Sequence, residues 1–183
     1  MAAFAVGVIE PLLPIRLARD GVTPKATGLI FTVSALVYGL SAPVVGRLSN
    51  RLSINKVIAI GALAMASTLP LLAAFRQASL ICVTVTLVYV SLAFMLNPAS
   101  AELGNVVDRA GMSYYSAAYA VYNIVYSIGM LGTAALATTA ARWLGFLGAL
   151  LCVSAVLLLA IPLVLSAKPS PVAVPKASES EAY

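Results

Sequence analysis

Apolar runs follow one another along almost the whole chain, each closed by a short cluster of charged, amide, proline or glycine residues. A bilayer core about 30 Å thick takes roughly 20 apolar residues of helix. On that measure the pattern predicts about six transmembrane helices, over residues 1–17, 28–46, 57–75, 80–101, 114–140 and 144–165. The first run is short and holds Glu10, Pro11 and Pro14, whereas the second carries no charge. Connections are expected at Arg16–Lys25, at the basic turn Arg47–Lys56, at Arg76-Gln77, at the polar stretch Glu102–Ser113 and at a very short turn marked by Arg142. Runs of this length favour helix over barrel strands, which are about ten residues long and alternate in polarity. Lipid also offers no partner to an unpaired backbone group, so each run has to be helical. Residues 167–183 are rich in Pro, Ala, Ser and Glu and cannot bury a core. The expected organisation is a transmembrane domain over 1–166 followed by a disordered cytoplasmic tail over 167–183.

The connections read long, medium, short, then long, short, which groups the spans as two inverted three-helix repeats, a construction used in secondary transporters. A chance match of two long loops is the alternative. An even number of spans puts both termini on one side. That side collects Arg47, Arg51, Lys56, Arg109, Lys168 and Lys176 against Arg16, Arg19, Lys25, Arg76 and Arg142 on the other. The small excess orients both termini toward the cytoplasm, with the inner cell membrane as the expected location.

Composition narrows the function classes. The chain is 62% hydrophobic and 9% charged with a mean hydropathy of +1.02, whereas soluble domains carry roughly 25% charged residues. The 11 Lys and Arg outnumber the 6 Asp and Glu, but they are scattered over connections. This suits anionic lipid headgroups and argues against nucleic acid as a partner. Histidine is absent, and Cys82 and Cys152 sit inside apolar runs without metal-ligand spacing. Neither a metal nor another cofactor is expected. No pair of acids, Ser-Lys arrangement or His-rich motif lies within the spans, so the chain is not read as an enzyme. The N-terminus lacks the basic region of a signal peptide and is interrupted by Glu10-Pro11; it reads as a spanning helix, with its natural start left open.

Glu10 is the one acid within a span. A charge at bilayer depth is costly, which favours a cavity or a partner around it and a role in binding a proton or a cation. The bland alternative is a carboxylate solvated near the interface. Pro11 and Pro14 are expected to break the helix beside it. In the fifth span, Tyr115, Tyr119, Tyr122 and Tyr126 fall on one helical stripe with Asn123 at its edge. Ring faces attract positive charge, so this stripe suits an organic cation, although tyrosines also pack helices together. Gly129 and Gly132 read as helix-packing positions.

With these residues in view, the chain resembles the major facilitator superfamily, and within it the drug/proton antiporters related to vesicular monoamine transporters. Glu10-Pro11-Leu12-Leu13-Pro14 is similar to the Glu-Pro-x-Leu-Pro element of that group's seventh helix. Gly46-Arg47-Leu48-Ser49-Asn50-Arg51 is similar to the degenerate second copy of the superfamily's loop signature. Gly104 to Arg109, followed by Tyr114 to Ala120, resembles the approach to the eleventh helix. The resemblance covers about residues 5–165 and is closest to the C-terminal six-helix half. Departures are Asn50, where the signature has an acid, Asn123, where the amine transporters have an aspartate, and Thr133-Ala134, near which a Gly-Pro pair is usual. An amide cannot carry a proton as an aspartate does, which leaves Glu10 as the remaining membrane acid.

The resemblance implies half of a major facilitator fold, exporting small cationic or amphipathic organic molecules in exchange for protons. Glu10 would bind substrate or proton, and Tyr119, Tyr122, Asn123 and Tyr126 would line the cavity. Gly46, Arg47, Asn50, Arg51, Asp108 and Arg109 would serve gating on the cytoplasmic side. A second six-helix half or a homodimer partner would complete the transporter. The alternative is a truncated or non-transporting six-helix module that only assembles with a partner.

Overall fold

A computed structural model describes residues 2–109, 111 and 114–167. The elements are all helical: α1 (Ala2–Arg19), α2 (Pro24–Arg51), α3 (Ile54–Thr68), the single turn α4 (Leu71–Ala74), α5 (Ala78–Arg109) and α6 (Tyr115–Ser166). Among the described residues four stretches are long and apolar enough to cross a membrane: Pro24–Arg51, Ile54–Ala74, Ala78–Arg109 and Tyr115–Ser166. The 18-residue α1 carries Glu10, Arg16 and Arg19, which lowers its apolar character.

The helix starts and stops follow local chemistry. Thr23 opens α2, its side chain accepting from the Ala26 N–H at 3.3 Å, and Pro24 occupies the first turn where no N–H is needed. Basic residues close the last turns of α1 (Arg16, Arg19), α2 (Arg51) and α5 (Arg109), matching the negative end of the helix dipole. This corrects two predicted connections. Gly46–Arg51 is the last part of α2 rather than a loop, and Asp108 and Arg109 end α5. Polar residues can extend a helix beyond the hydrocarbon core, so the end of an apolar run is not the end of the helix.

The turn expected at Arg142 also moves. Within α6 the single non-helical residue is Gly145, with φ 74 and ψ 175, a conformation that glycine adopts at little steric cost. Residues 133–140 and 149–156 line one cavity together, whereas in a straight helix its outermost members would stand about 34 Å apart. The chain therefore doubles back at Gly145 into two arms, 115–144 and 146–166.

The core is built from one face of α1 (Val8, Ile9, Leu13, Leu17), α3 (Met65), α5 (Ile81, Val85, Val88) and the second arm of α6 (Leu150, Leu157). The main helix pairings are α2 with α5, α3 with α5, α1 with α6 and α3 with α6. Gly7 brings α1 against α6 so closely that a Cβ there would collide with the Met130 carbonyl. Gly129 meets Ala3 across the same seam, as its packing role requires, while Gly132 faces open space. Ser34, fully buried on α2, has its Oγ 3.2 Å from Thr86 Oγ1 of α5. Each hydroxyl also has a carbonyl acceptor one turn back in its own helix, so with one proton apiece one of them donates across the contact and the other donates to its own helix.

Burial is uneven. In the most apolar part of α2 17% of residues are buried, against 44% in Ile54–Ala74 and in α5. Leu36 and Leu40 of α2 and Val125 and Leu131 of α6 are exposed. Exposed apolar surface on this scale has to be covered by lipid or protein.

Arg16, expected in a solvated loop, turns inward instead. Its guanidinium donates to the carbonyls of Leu72, Ala73 and Phe75, the latter two at 3.0 Å, and stands 4.8 Å over the Phe146 ring. The last carbonyls of a helix lack backbone donors, and a guanidinium serves several at once. At the other end of the bundle, Asn55 Nδ2 donates to the Ala167 carbonyl at 2.6 Å. The rest of the expected tail, 168–183, lies outside the described residues.

Candidate functional site

Glu10 sits midway along α1, and the helix continues through Pro11 and Pro14 rather than breaking. The prolines remove two backbone donors, leaving the carbonyls of Gly7 and Glu10 without their helical partners. Ile9, Leu12 and Leu13, all buried, hold this stretch in the core, and that packing keeps the helix continuous.

The Glu10 side chain is exposed on the inner face of the bundle. It borders an open cavity of about 460 Å³ with Phe31, Thr32 and Ala35 of α2 and Tyr89 of α5. Phe31 and Tyr89 meet edge to face, with centroids 6.4 Å apart. The ion pairs among the described residues are Arg16–Asp20 and Arg109–Glu102; neither uses Glu10. A membrane carboxylate bordered by rings and without a basic partner among the described residues has the chemistry to take up a cation or a proton.

A second, apolar cavity of about 560 Å³ lies between α1, α3, α5 and α6, with Phe4, Ile58, Met95, Tyr122, Val125 and Tyr126 among its walls. Tyr122 and Tyr126 stand on the α6 side of that cavity. Glu10 of α1 and Tyr89 of α5 thus border one cavity, and Tyr122 and Tyr126 of α6 border the other.

The tyrosine stripe divides along its length. Tyr122 and Tyr126 line the apolar cavity. Tyr119 instead donates its hydroxyl to the Ser100 carbonyl at 3.0 Å, and Tyr115 donates to Asp108. The lower half of the stripe therefore fastens α6 to the end of α5. Asn123 is exposed and belongs to neither cavity wall. Tyr38, Tyr89 and Asn97 were not singled out from the sequence. Isolated tyrosines within apolar runs, and an amide followed by proline, were the signals present for them.

The residues expected to gate fall into two groups. Gly46, Arg47, Asn50 and Arg51 are exposed at the end of α2. Arg109 pairs with Glu102 at 3.5 Å at the end of α5, where Asn105 also donates to Glu102 at 3.2 Å. Ser34 faces Thr86 and Tyr38 faces Asn97, so α2 and α5 run parallel and the two groups share one end of the bundle. Among the described residues, no ion pair joins Arg47 or Arg51 to Asp108. No cluster of three metal-ligating side chains occurs among them either.

Neither the search of curated proteins nor that of solved structures returned a match. Residues 1–182 do match the profile of the Major Facilitator Superfamily. Nearly the full length of the sequence is spanned by that match and the helices are apolar enough to cross a bilayer, so the chain belongs to the major facilitator superfamily and is a multi-pass membrane protein of the transporter type.

Proposed function

We propose that the chain is one six-helix half of a proton-coupled exporter of small cationic or amphipathic organic molecules, of the drug/proton antiporter type related to vesicular monoamine transporters. The observation that carries this reading is Glu10, a carboxylate without a basic partner among the described residues that borders an open cavity of about 460 Å³ with Phe31 and Tyr89. A cavity of that size accepts a drug-sized body. The Glu10 carboxylate and the rings of Phe31 and Tyr89 attract its charged end. A protonated Glu10 is neutral and releases the cation, so proton and substrate compete for one group and exchange across the membrane.

The six spans of this reading are α1, α2, α3 with α4, α5 and the two arms of α6. Under an exchange of the first three spans with the last three, the α1–α6 and α2–α5 pairings map onto each other, as inverted repeats require. The exposed apolar faces of α2 and the first arm of α6 are suited to a second six-helix half, or to a second copy of the chain. The ends of α2 and α5, with Gly46–Arg51 and Asp108-Arg109, would gate the cytoplasmic side, toward which both termini point, in the inner cell membrane. A second reading, a six-helix module that assembles with a partner without transporting, is favoured by those same uncovered faces.

The test is reconstitution into proteoliposomes, alone and with a candidate second half, under an imposed proton gradient. Gradient-driven efflux of an organic cation that Glu10→Gln abolishes supports the exporter; efflux indifferent to Glu10→Gln overturns the role given to that residue. Stable assembly without efflux favours the second reading.

A further inference from the structure

At the surface of the bundle, α3 and α5 enclose an apolar groove of about 230 Å³. Ile60, Ala64 and Thr68 of α3 form one side, and Leu87, Ser91 and Phe94 of α5 form the other. Small residues create it. A Cβ on Gly61 would stand 2.8 Å from the Phe94 Cβ and 2.9 Å from the Ser91 carbonyl, so the two backbones meet there. Ala64, three residues on, is too small to fill the space beside that contact. Ile60 and Leu87, each about half exposed, stand at its rims. The hydroxyls in the walls are already engaged: Thr68 donates to the Ala64 carbonyl and Ser91 to the Leu87 carbonyl, both at 2.8 Å. With those protons committed, the groove suits hydrocarbon better than a polar molecule.

One end of the groove is charged. Lys56 lies in the first turn of α3, four residues before Ile60 and therefore on the same helix face. It is exposed, and no acid pairs with it among the described residues. Arg47 and Arg51, exposed at the adjoining end of α2, add to the positive charge there. The acids at that end are taken, Glu102 by Arg109 and Asn105, and Asp108 by Tyr115. From Ile60 to Thr68 the groove follows α3 for about 12 Å, within the depth of one leaflet, about 15 Å of hydrocarbon. Length, apolar walls and a cation at one end match an acyl chain with a negative headgroup above it.

We propose that the α3–α5 groove binds one acyl chain of an anionic phospholipid whose headgroup is held by Lys56. The site does not depend on the reading of Glu10. Lipid is the solvent of this surface, so a chain enters the groove without a separate route, and Lys56 decides which headgroup stays.

The chain has a single tryptophan, Trp143, so a reporter can be placed at will. Leu87→Trp in a Trp143→Phe background puts an indole at the rim of the groove, and Leu131→Trp in the same background puts one on exposed α6 surface outside it. Each purified full-length chain is reconstituted into dioleoylphosphatidylcholine containing rising fractions of chain-brominated phosphatidylglycerol or phosphatidylcholine. Fluorescence quenching then gives the relative affinity for the two headgroups, with circular dichroism as the check on folding. The reporter at 87 is expected to prefer phosphatidylglycerol about fivefold, the attraction of one cation near the surface, whereas the reporter at 131 shows little preference. Lys56→Gln lowers the preference at 87 to the level at 131. Ala64→Leu, which fills the groove, does the same; Lys56→Gln, at an exposed position, carries the test alone if Ala64→Leu fails to fold. An equal preference at both reporters overturns the proposal, since general attraction to a basic protein would account for it. A preference at 87 that survives Lys56→Gln or a folded Ala64→Leu overturns it too. So does an absence of quenching at 87 by either lipid, the result of a protein helix covering the groove.

Discussion

The guanidinium of Arg16 donates to the backbone carbonyl of Ala73 at 3.0 Å, tying α1 to a turn 57 residues further along the chain. The same group serves Leu72 and Phe75, pairs with Asp20 at 3.5 Å and covers the Phe146 ring. One side chain therefore joins α1, the end of α4 and the start of the second arm of α6. It does so at the end of the bundle where α1 leaves the core, and it fixes the helix that carries Glu10.

Arg16→Ala is expected to destabilise the fold by about 2–4 kcal/mol, since three carbonyls lose a charged donor. Arg16→Lys should recover less than half of that, because an ammonium cannot span the three acceptors as a planar fork does. Unfolding titrations of the purified chain in mixed detergent micelles measure both. Equal stability of the alanine variant and the wild type would mean that the clamp contributes nothing.

Packing at the α1–α6 seam gives a contrast between two glycines. Gly7→Val places carbons where the Met130 carbonyl stands and should cost about 1–3 kcal/mol or separate the helices. Gly132→Ala meets nothing within 4 Å, so it should leave stability unchanged or raise it slightly through helix propensity. Thermal melts of the two variants side by side decide the point.

Gly145 is the reversal between the arms of α6, with φ at 74. Gly145→Ala is expected to cost about 1–2 kcal/mol, the strain of a side chain held in the left-handed region. Gly148→Ala would not serve as its control, because that position is crowded by Leu144; Gly28→Ala, in open space on α2, does. A larger loss at Gly28 than at Gly145 would contradict the assignment of the turn.

Tyr126 lines the apolar cavity together with Tyr122. Tyr126→Phe keeps the ring and should bind an organic cation within about threefold of the wild type, whereas Tyr126→Leu should lose roughly tenfold. Dissociation constants from dialysis against tetraphenylphosphonium measure this. A phenylalanine variant as weak as the leucine variant would make the hydroxyl, not the ring, the operative group.

Much of the site could be read from residue order, and the missing part has a definite physical character. Glu10 was legible because a carboxylate in an apolar run is rare and costly. Tyr122 and Tyr126 were legible from helical spacing, but the same spacing included Tyr115 and Tyr119. Their hydroxyls are taken by Asp108 and the Ser100 carbonyl of α5. Periodicity reports which residues share a face and not what lies opposite that face. Tyr38, Tyr89 and Asn97 escaped notice for the same reason: each is ordinary on its own helix and becomes informative only beside a residue of another.

Residue order by itself determined that this chain is a set of apolar helices in a bilayer. Run length, the scarcity of charge and the lack of water for backbone groups in lipid leave no other solution. Tertiary structure decided where those helices end, because charged residues such as Arg51 and Arg109 extend them past the apolar core. It decided that the reversal in α6 falls at Gly145, where the backbone takes a conformation open to glycine, and not at the charge on Arg142. It also turned Arg16 inward to carbonyls that no local pattern could have assigned to it, and it set Tyr38 against Asn97. Hydrophobicity acts on each segment separately, whereas hydrogen bonds across 50 or more residues depend on which helices pack together.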